Sequence, residues 1–344
     1  MPINVAINGF GRIGRMVFRR AILHPDLQIT AINARYPVET LVHLIKYDSV
    51  HGRFDAHVQA VDDQHIRVNN QLVTIVNARD PRDLPWRDMG IDIVIEATGK
   101  FRDRETAAYH LAAGAKKVLI TAPAKNEDIT IVMGVNDHLY DAKRHHIISN
   151  ASCTTNCLAP LVKILDDRFG VEMGMMTTVH AYTNDQNNID NPHKDLRRAR
   201  ACAESIIPTT TGAAKAIGKV LPHLEGKLNG LSLRVPTANV SLVDLVVDLK
   251  LPVTVQSANA AMRAAAEGEY RHVLAYSDEP LVSVDFRTDP HSAIVDALST
   301  MVIGERKLKV LAWYDNEWGY SCRVVDLVIK VAETTTTESG VKVS

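Results

Sequence analysis

The sequence predicts two domains: a doubly wound α/β domain built on a parallel sheet, then a mainly antiparallel sheet domain with helices on one face. Three observations predict this. The chain has 344 residues, more than one hydrophobic core usually serves. Up to about residue 150, short apolar runs alternate with helical patterns, as suits parallel strands buried on both faces. Beyond Ser152 the strands become longer and alternating, the habit of an antiparallel sheet with one covered face.

Taken in order, "INVAIN", "QITAIN", "IDIVIEATG", "KKVLITA", "ITIVMGV" and "HHIISNA" read as strands of the first domain. "GRMVFRRAIL" and "RETAAYHLAAGA" read as its helices, because apolar residues recur at i, i+3 and i+4. In the second domain "GMMTTVHAYT", "LSLRVP", "SLVDLVVDL", "PLVSVDF" and "LKVLAWYD" read as strands, with "CLAPLVKILDDRF" and "VQSANAAMRAAAEG" as helices. Thr183 to Ser205 is polar and aperiodic, a long loop of the kind that serves a site or an interface. "WGYSCRVVDLVIKVAE" reads as a final helix. The expected boundaries are residues 1–151 plus 319–333 for the first domain and 152–318 for the second. Residues 334–344, "TTTESGVKVS" and the threonine before it, have the composition of a disordered tail.

A net charge of -1 with 23% charged residues gives no electrostatic case for nucleic acid. No run approaches the roughly 18 apolar residues of a membrane span, and the N-terminus lacks a leader pattern, so a soluble, unprocessed chain without a membrane partner is expected. Four cysteines, Cys153, Cys157, Cys202 and Cys322, form no paired framework, which suits a reducing compartment, by default the cytoplasm. No metal site is expected, because Cys153 and Cys157 lack two further ligands at suitable spacing.

"INGFGRIGR" places Gly9, Gly11 and Gly14 in G-x-G-x-x-G spacing directly after a strand and before a helix. In that setting the glycines admit a tight turn and close approach of a dinucleotide pyrophosphate to a helix N-terminus, as in Rossmann-type domains. "EATGKF" ends another parallel strand on small residues, where ligands of such sheets lie, so Thr98 and Gly99 are candidates. A carboxylate for the adenosine ribose is expected about twenty residues past the last glycine. Ala34 stands there, with Arg35 beside it. A 2′-phosphate would escape repulsion at Ala34 and pair with Arg35; the alternative is a solvated surface arginine.

"SNASCTTNCLAP" sets Cys153 at a strand-to-helix junction, where the helix N-terminus should depress the thiol pKa. Cys157, one turn on, is expected to be buried as a small hydrophobe. His180 in "MMTTVHAYTND" offers the base of a Cys–His pair.

These blocks, with "HKDLRRARA", "SIIPTTTGAAKA", "RVPTANVSLVDL" and "WYDNEWGYS", occur in order from residue 3 to about 333 and resemble the signature segments of the glyceraldehyde-3-phosphate dehydrogenase family. The resemblance implies Cys153 as nucleophile and His180 as base in reversible oxidation of glyceraldehyde 3-phosphate through a thioester that inorganic phosphate cleaves to 1,3-bisphosphoglycerate. It implies two anion sites, one from Ser152, Thr154, Thr211, Gly212 and Arg234, the other from Thr183, Arg198 and Arg234; "RRAR" leaves Arg197 and Arg200 as rivals of Arg198. It implies Arg12, Ile13, Arg79, Thr121, Asn184 and Asn316 as further cofactor contacts, Asn316 toward the nicotinamide amide. It also implies a homotetramer in which the long polar loop approaches the cofactor of a neighbouring subunit.

Where NAD-specific members carry Asp, this chain has Ala34, and where they carry Leu-Pro it has Asn191-Pro192. Both departures resemble NADP-using bacterial members, so NADP is the expected cofactor, with NAD possible. The alternatives are an erythrose-4-phosphate dehydrogenase, a semialdehyde dehydrogenase of the aspartate type, which the match to both anion sites disfavours, and a binding protein on the same fold.

Overall fold

The computed structural model describes residues 2–338. The chain forms two compact units. One runs through Ile131, resumes from His138 to Ala151 and takes the chain again from Ser321; the other is Val132–Asp137 with Ser152–Tyr320.

The first unit contains β1 (Ile3–Asn8), α1 (Arg12–Ala21), β2 (Leu27–Asn33), α2 (Val38–Lys46), β3 (Tyr47–Asp48), β4 (Gly52–Arg53), β5 (Val58–Asp62), β6 (His65–Val68) and β7 (Gln71–Val76). It continues with β8 (Ile93–Glu96), α3 (Arg104–Ala112), β9 (Lys117–Ile120), β10 (Ile129–Thr130) and β11 (Ile147–Ser149). Its sheet has the order β10-β11-β9-β8-β1-β2-β7-β6-β5. From β10 to β7 the neighbours are parallel, and all four residues of β8 and of β9 are buried, which explains their unbroken apolar runs. The order reverses between β1 and β8, so the crevice at their carboxyl ends is where such sheets bind ligands.

Two sequence expectations need correction here. The sheet is not wholly parallel: β5, β6 and β7 form an antiparallel edge that the apolar-run pattern passed over, because these strands are half exposed and polar on one side. "ITIVMGV" contributes only the two residues of β10.

The second unit contains α4 (Cys153–Phe169), β12 (Val171–Ala181), β13 (Ile207–Thr210), α5 (Ala213–Val220), β14 (Leu228–Val235), β15 (Ser241–Leu249), α6 (Val255–Glu267), β16 (Leu274–Ser277), β17 (Ala293–Ile303) and β18 (Lys307–Tyr314). The final helix, α7 (Trp318–Glu338), begins in this unit and passes into the first. The sheet order is β13-β14-β12-β15-β18-β17-β16. Most neighbours are antiparallel, but β12 with β14 and β16 with β17 are parallel. "PLVSVDF" is not a strand; Ser283–Phe286 is a short 3-10 turn, capped at its start by Asp285, whose carboxylate takes the Val282 N–H at 2.8 Å. α4 and α6 pack on the sheet face that carries the buried Met176, Leu245 and Val310.

The tail expected to start at residue 334 is helical as far as Glu338. Val324, Val328 and Val331 are buried along α7, and the Thr334 hydroxyl donates to the Lys330 carbonyl at 2.9 Å, which keeps a threonine compatible with the last turns. The remaining tail residues lie outside the described ones. No helix among the described residues is long and apolar enough to cross a membrane.

Candidate active site

In the first unit the glycine loop follows β1. Gly9 has φ +94, and a Cβ there would lie 2.8 Å from the Thr98 amide nitrogen. A Cβ on Gly14 would lie 2.2 Å from the Gly9 carbonyl oxygen, so both positions require close backbone packing. Gly11 faces open space and caps α1 without a side-chain hydrogen bond, and no acidic residue occupies the first turn. The helix N-terminus therefore points its first N–H groups along a smooth backbone cradle, which fits a pyrophosphate. Ile13 is half-buried in the first turn of α1. Arg12, also at that terminus, is held by two contacts to Asp48, at 2.5 and 3.0 Å. The Asp48 side chain is 1% exposed; burial opposes its charge, but Arg12 and the N–H groups of His51 and Val50 hold the carboxyl far below its usual range.

The turn after β8 is organised by Glu96, which is 1% exposed. It accepts from the Thr98 N–H at 2.8 Å, the Thr98 hydroxyl, Asn8 Nδ2 at 2.5 Å and His110 Nε2 at 3.1 Å. Trp86 Nε1 donates to His110 Nδ1 at 3.0 Å, which leaves the imidazole proton on Nε2. Gly99 follows with φ +70, and Thr121 donates its N–H and hydroxyl to the Glu96 carbonyl at 3.0 and 3.1 Å.

At the end of β2, Ala34 is buried and donates its N–H to the Val76 carbonyl at 3.0 Å. The Asn33 side chain clamps Ala78 on both sides, accepting its N–H at 2.9 Å and donating to its carbonyl at 3.0 Å. That clamp carries the chain to Arg79. Arg35 and Arg79 are exposed, and neither has an ion-pair partner among the described residues. The neighbouring Asp80 carboxylate is taken by Arg82.

In the second unit Ser152 caps α4, its hydroxyl accepting the Thr155 N–H at 3.0 Å, after Ala151 turns through the left-handed region at φ 55. Cys153 is the first helical residue. The parallel register of β12 with β14 sets His180 beside Arg234, and Cys153 Sγ lies 3.6 Å from His180 Nε2. His180 Nδ1 lies 2.6 Å from the Ala181 carbonyl, and the tautomer that donates to this carbonyl leaves the Nε2 lone pair facing the thiol. Arg234 Nη1 donates to the same carbonyl at 3.0 Å and sits 2.8 Å from His180 Nδ1. Burial, then the Arg234 charge, push His180 down to about 3, so the imidazole is neutral.

Cys153 is half-buried, and its pKa is not depressed as the helix terminus predicts. Burial pushes the thiol above its ordinary value, against Arg234, the Thr154 hydroxyl and the backbone N–H groups of Thr154 and Cys153. Cys157 is buried and its thiol stands well above the usual value for the same reason. Tyr314 completes the cluster: its hydroxyl lies 2.9 Å from Thr154 Oγ1 and 2.8 Å from Thr178 Oγ1, and its ring meets the His180 ring edge to face at 6.0 Å.

The other anion candidates are spread along loops and helix starts. Arg198 is half-buried, donates to Thr209 Oγ1 at 2.9 Å and pairs with Asp185 and Asp195. Its rivals differ: Arg200 pairs with the exposed Asp190, and Arg197 is exposed. Thr183 donates its N–H and hydroxyl to Gln186 Oε1. Thr211 accepts the Ala213 N–H at 3.2 Å beside Gly212, which caps α5 without a side-chain bond. Asn184 and Asn191 are exposed, the latter holding its loop through backbone bonds to Ala199 and to the Asn187 side chain. Asn316 is buried and accepts from the Ser241 hydroxyl at 2.7 Å.

Comparison with known families supplies the context for this geometry. The model of the glyceraldehyde 3-phosphate dehydrogenase NAD binding domain matches residues 3–104, and that of the C-terminal domain matches residues 152–316. The chain is 68% identical over 332 residues to glyceraldehyde-3-phosphate dehydrogenase 2 of Bacillus subtilis, covering 96% of this chain and 97% of that one. The chain belongs to the glyceraldehyde-3-phosphate dehydrogenase family. The enzyme from Geobacillus stearothermophilus is 62% identical over 96% of this chain and 99% of its own. Glyceraldehyde-3-phosphate dehydrogenase 2 of Staphylococcus epidermidis is 57% identical over 99% of each. As a member of this dehydrogenase family the protein is an NAD(P)-dependent oxidoreductase of the phosphorylating aldehyde class.

Sequence reasoning missed Tyr314, Ser241, Asp48 and Glu96 in this dehydrogenase. Asp48 sits in a segment without a motif, and Tyr314 lies inside the quoted block "WYDNEWGYS" beside Asn316, but only strand pairing brings its hydroxyl to Thr154 and Thr178. Ser241 lies inside the quoted block "RVPTANVSLVDL", but only strand register brings it to Asn316. Glu96 was within "EATGKF", where the small residues drew the attention that its burial merits.

Proposed function

We propose that this family member is a phosphorylating glyceraldehyde-3-phosphate dehydrogenase that prefers NADP to NAD. The observation that carries the preference is the end of β2: a buried Ala34 in place of a carboxylate, with two unpaired, exposed arginines, Arg35 and Arg79, close by in sequence to the clamped Asn33–Ala78 pair. A carboxylate there would repel a 2′-phosphate, whereas guanidinium groups pair with it. Asn191, exposed on the long loop, supports the same reading as a further donor from a neighbouring subunit.

The reaction follows from the groups in contact. His180 Nε2 takes the Cys153 proton only as Sγ attacks the aldehyde carbon, and the imidazolium returns that proton to the oxygen. Nε2 then removes the hydroxyl proton of the hemithioacetal as hydride departs, leaving a thioester on Sγ. When bound, the nicotinamide supplies the hydride acceptor. Inorganic phosphate attacks the thioester carbon and Sγ leaves as thiolate, releasing 1,3-bisphosphoglycerate. Arg234, with Ser152, Thr154, Thr211 and Gly212 on one side and Thr183 and Arg198 on the other, supplies donors for the two phosphates. The Cys153 N–H at the start of α4 and His180 flank the developing oxyanion.

A homotetramer accompanies this reading. Cross-strand register aligns Met175, Val246, Lys309 and Met301 in one row and Met173, Asp248, Lys307 and Ile303 in the next, on the sheet face opposite α4. Met173, Met175, Met301 and Ile303 are exposed there among the charged Asp248, Lys307 and Lys309, a mixed face with four large apolar side chains for a second copy of the chain to cover. The free thiols of all four cysteines suit the cytoplasm. The test is an assay with glyceraldehyde 3-phosphate and each cofactor, with and without phosphate. Phosphate-dependent NADPH formation is expected, and phosphate-independent turnover or a better rate with erythrose 4-phosphate would contradict the reading.

A further inference from the structure

We infer that Ser241 sets the orientation of the Asn316 amide, so that Nδ2, not Oδ1, faces the nicotinamide carboxamide. The inference rests on the proposed placement of Asn316 at that carboxamide and deepens it. Ser241 is the first residue of β15 and is 1% exposed. Its Oγ accepts the Ala181 N–H at 3.0 Å, and its single proton goes to Asn316 at 2.7 Å. The atom receiving that proton must carry a lone pair, and only Oδ1 does. A flipped amide would turn Nδ2 toward Ser241 and leave the serine proton with no acceptor among the described residues in a buried site, which is costly.

The surroundings leave the amide torsion as the remaining freedom. Asp315 fixes the backbone on both sides of Asn316, accepting the N–H groups of Glu317 at 2.9 Å, Trp318 at 2.7 Å and Thr288 at 2.7 Å. Asn239 Nδ2 donates to the same carboxylate at 2.8 Å. With Oδ1 committed to Ser241, Asn316 Nδ2 has no protein partner among the described residues and is the group available to a ligand. Ala181 ties this arrangement to the base: its carbonyl accepts from His180 Nδ1 while its N–H donates to Ser241. Ser241 is thus a positioning residue that acts through Asn316.

The distinguishing probe is a dinucleotide carrying 3-acetylpyridine in place of nicotinamide, whose ring substituent can only accept a hydrogen bond. Wild type, with Nδ2 presented, accepts both rings. In Ser241→Ala neither amide rotamer is held: a carboxamide can pair with both, whereas an acetyl carbonyl pairs only with the one presenting Nδ2 and is repelled by Oδ1. The ratio of kcat/KM for nicotinamide over acetylpyridine cofactor should rise roughly fivefold, the worth of one neutral hydrogen bond. Ser241→Thr, which keeps the hydroxyl, should hold the wild-type ratio, and Ser241→Cys, a weaker donor, replaces the alanine variant if that fails to fold. A folded Ser241→Ala or Ser241→Cys enzyme with an unchanged ratio, while Asn316→Ala shifts it, would overturn the orientation. An Asn316→Ala enzyme with unchanged affinity for both cofactors would instead overturn the placement of Asn316 itself.

Discussion

Around Cys153 and His180 the polar groups are enclosed and most have a partner, buried Arg234 Nε excepted: Nδ1 lies against the Ala181 carbonyl, Arg234 Nη1 donates beside it, and Tyr314 joins Thr154 to Thr178. At the end of β2 the reverse holds, with Arg35 and Arg79 exposed and unpaired among the described residues. On the proposed reading, this contrast separates reaction from selectivity. The chemistry lies in an enclosed network where each group fixes the next, so losses there should be large and non-additive. Cofactor choice, in the reading proposed, lies with solvated charges that a substitution changes singly and that salt screens.

The comparison breaks first at the nucleophile. Cys153→Ala should yield no acyl-enzyme by intact mass and lose activity by on the order of 10⁴-fold or more, while its cofactor affinity is kept. His180→Gln should lower kcat by roughly 10²–10⁴-fold, as removal of a general base does. It should also change acid stability. His180 stands at about 3 in the folded protein against an ordinary 6.5, so between those values the unfolded chain binds the extra proton and folding loses stability as pH falls. The glutamine variant lacks that loss, so its Tm relative to wild type should improve from pH 7 to pH 4. A constant Tm difference across that range would show that the imidazole is not held neutral.

Tyr314→Phe is the next smaller disturbance. It leaves the Thr154 and Thr178 hydroxyls without their shared partner, and stability should fall by about 1–3 kcal/mol with a roughly tenfold drop in kcat. Denaturant unfolding and steady-state kinetics check both. At the open edge, Arg35→Ala should lower kcat/KM for NADP by about five- to tenfold, leave NAD nearly unchanged, and show a smaller deficit at high salt. Ala34→Asp should penalise NADP more than NAD; equal penalties would mean that position 34 does not face the 2′-phosphate.

The features legible in the sequence were those with short-range signatures. Gly9, Gly11 and Gly14 announced the turn because their spacing belongs to one strand-to-helix junction, and Cys153 marked the start of α4 in the same way. The buried runs of β8 and β9 were plain because both faces exclude water. Features formed by register were not legible. Arg234 meets His180 only through the parallel pairing of β12 with β14, and Tyr314 reaches Thr178 across the sheet from β18. The β5–β7 edge escaped because exposed strands carry polar residues, and the Cys153 pKa was misjudged because a helix terminus is visible in sequence whereas burial is not.

The most direct test of the separation between enclosed chemistry and open selectivity is the ratio of kcat/KM for NADP over NAD, measured on the wild-type enzyme with glyceraldehyde 3-phosphate and phosphate. The open edge at Ala34 and Arg35 predicts a ratio of about tenfold or more in favour of NADP, roughly 1.4 kcal/mol of discrimination. A ratio of similar size in favour of NAD would contradict it.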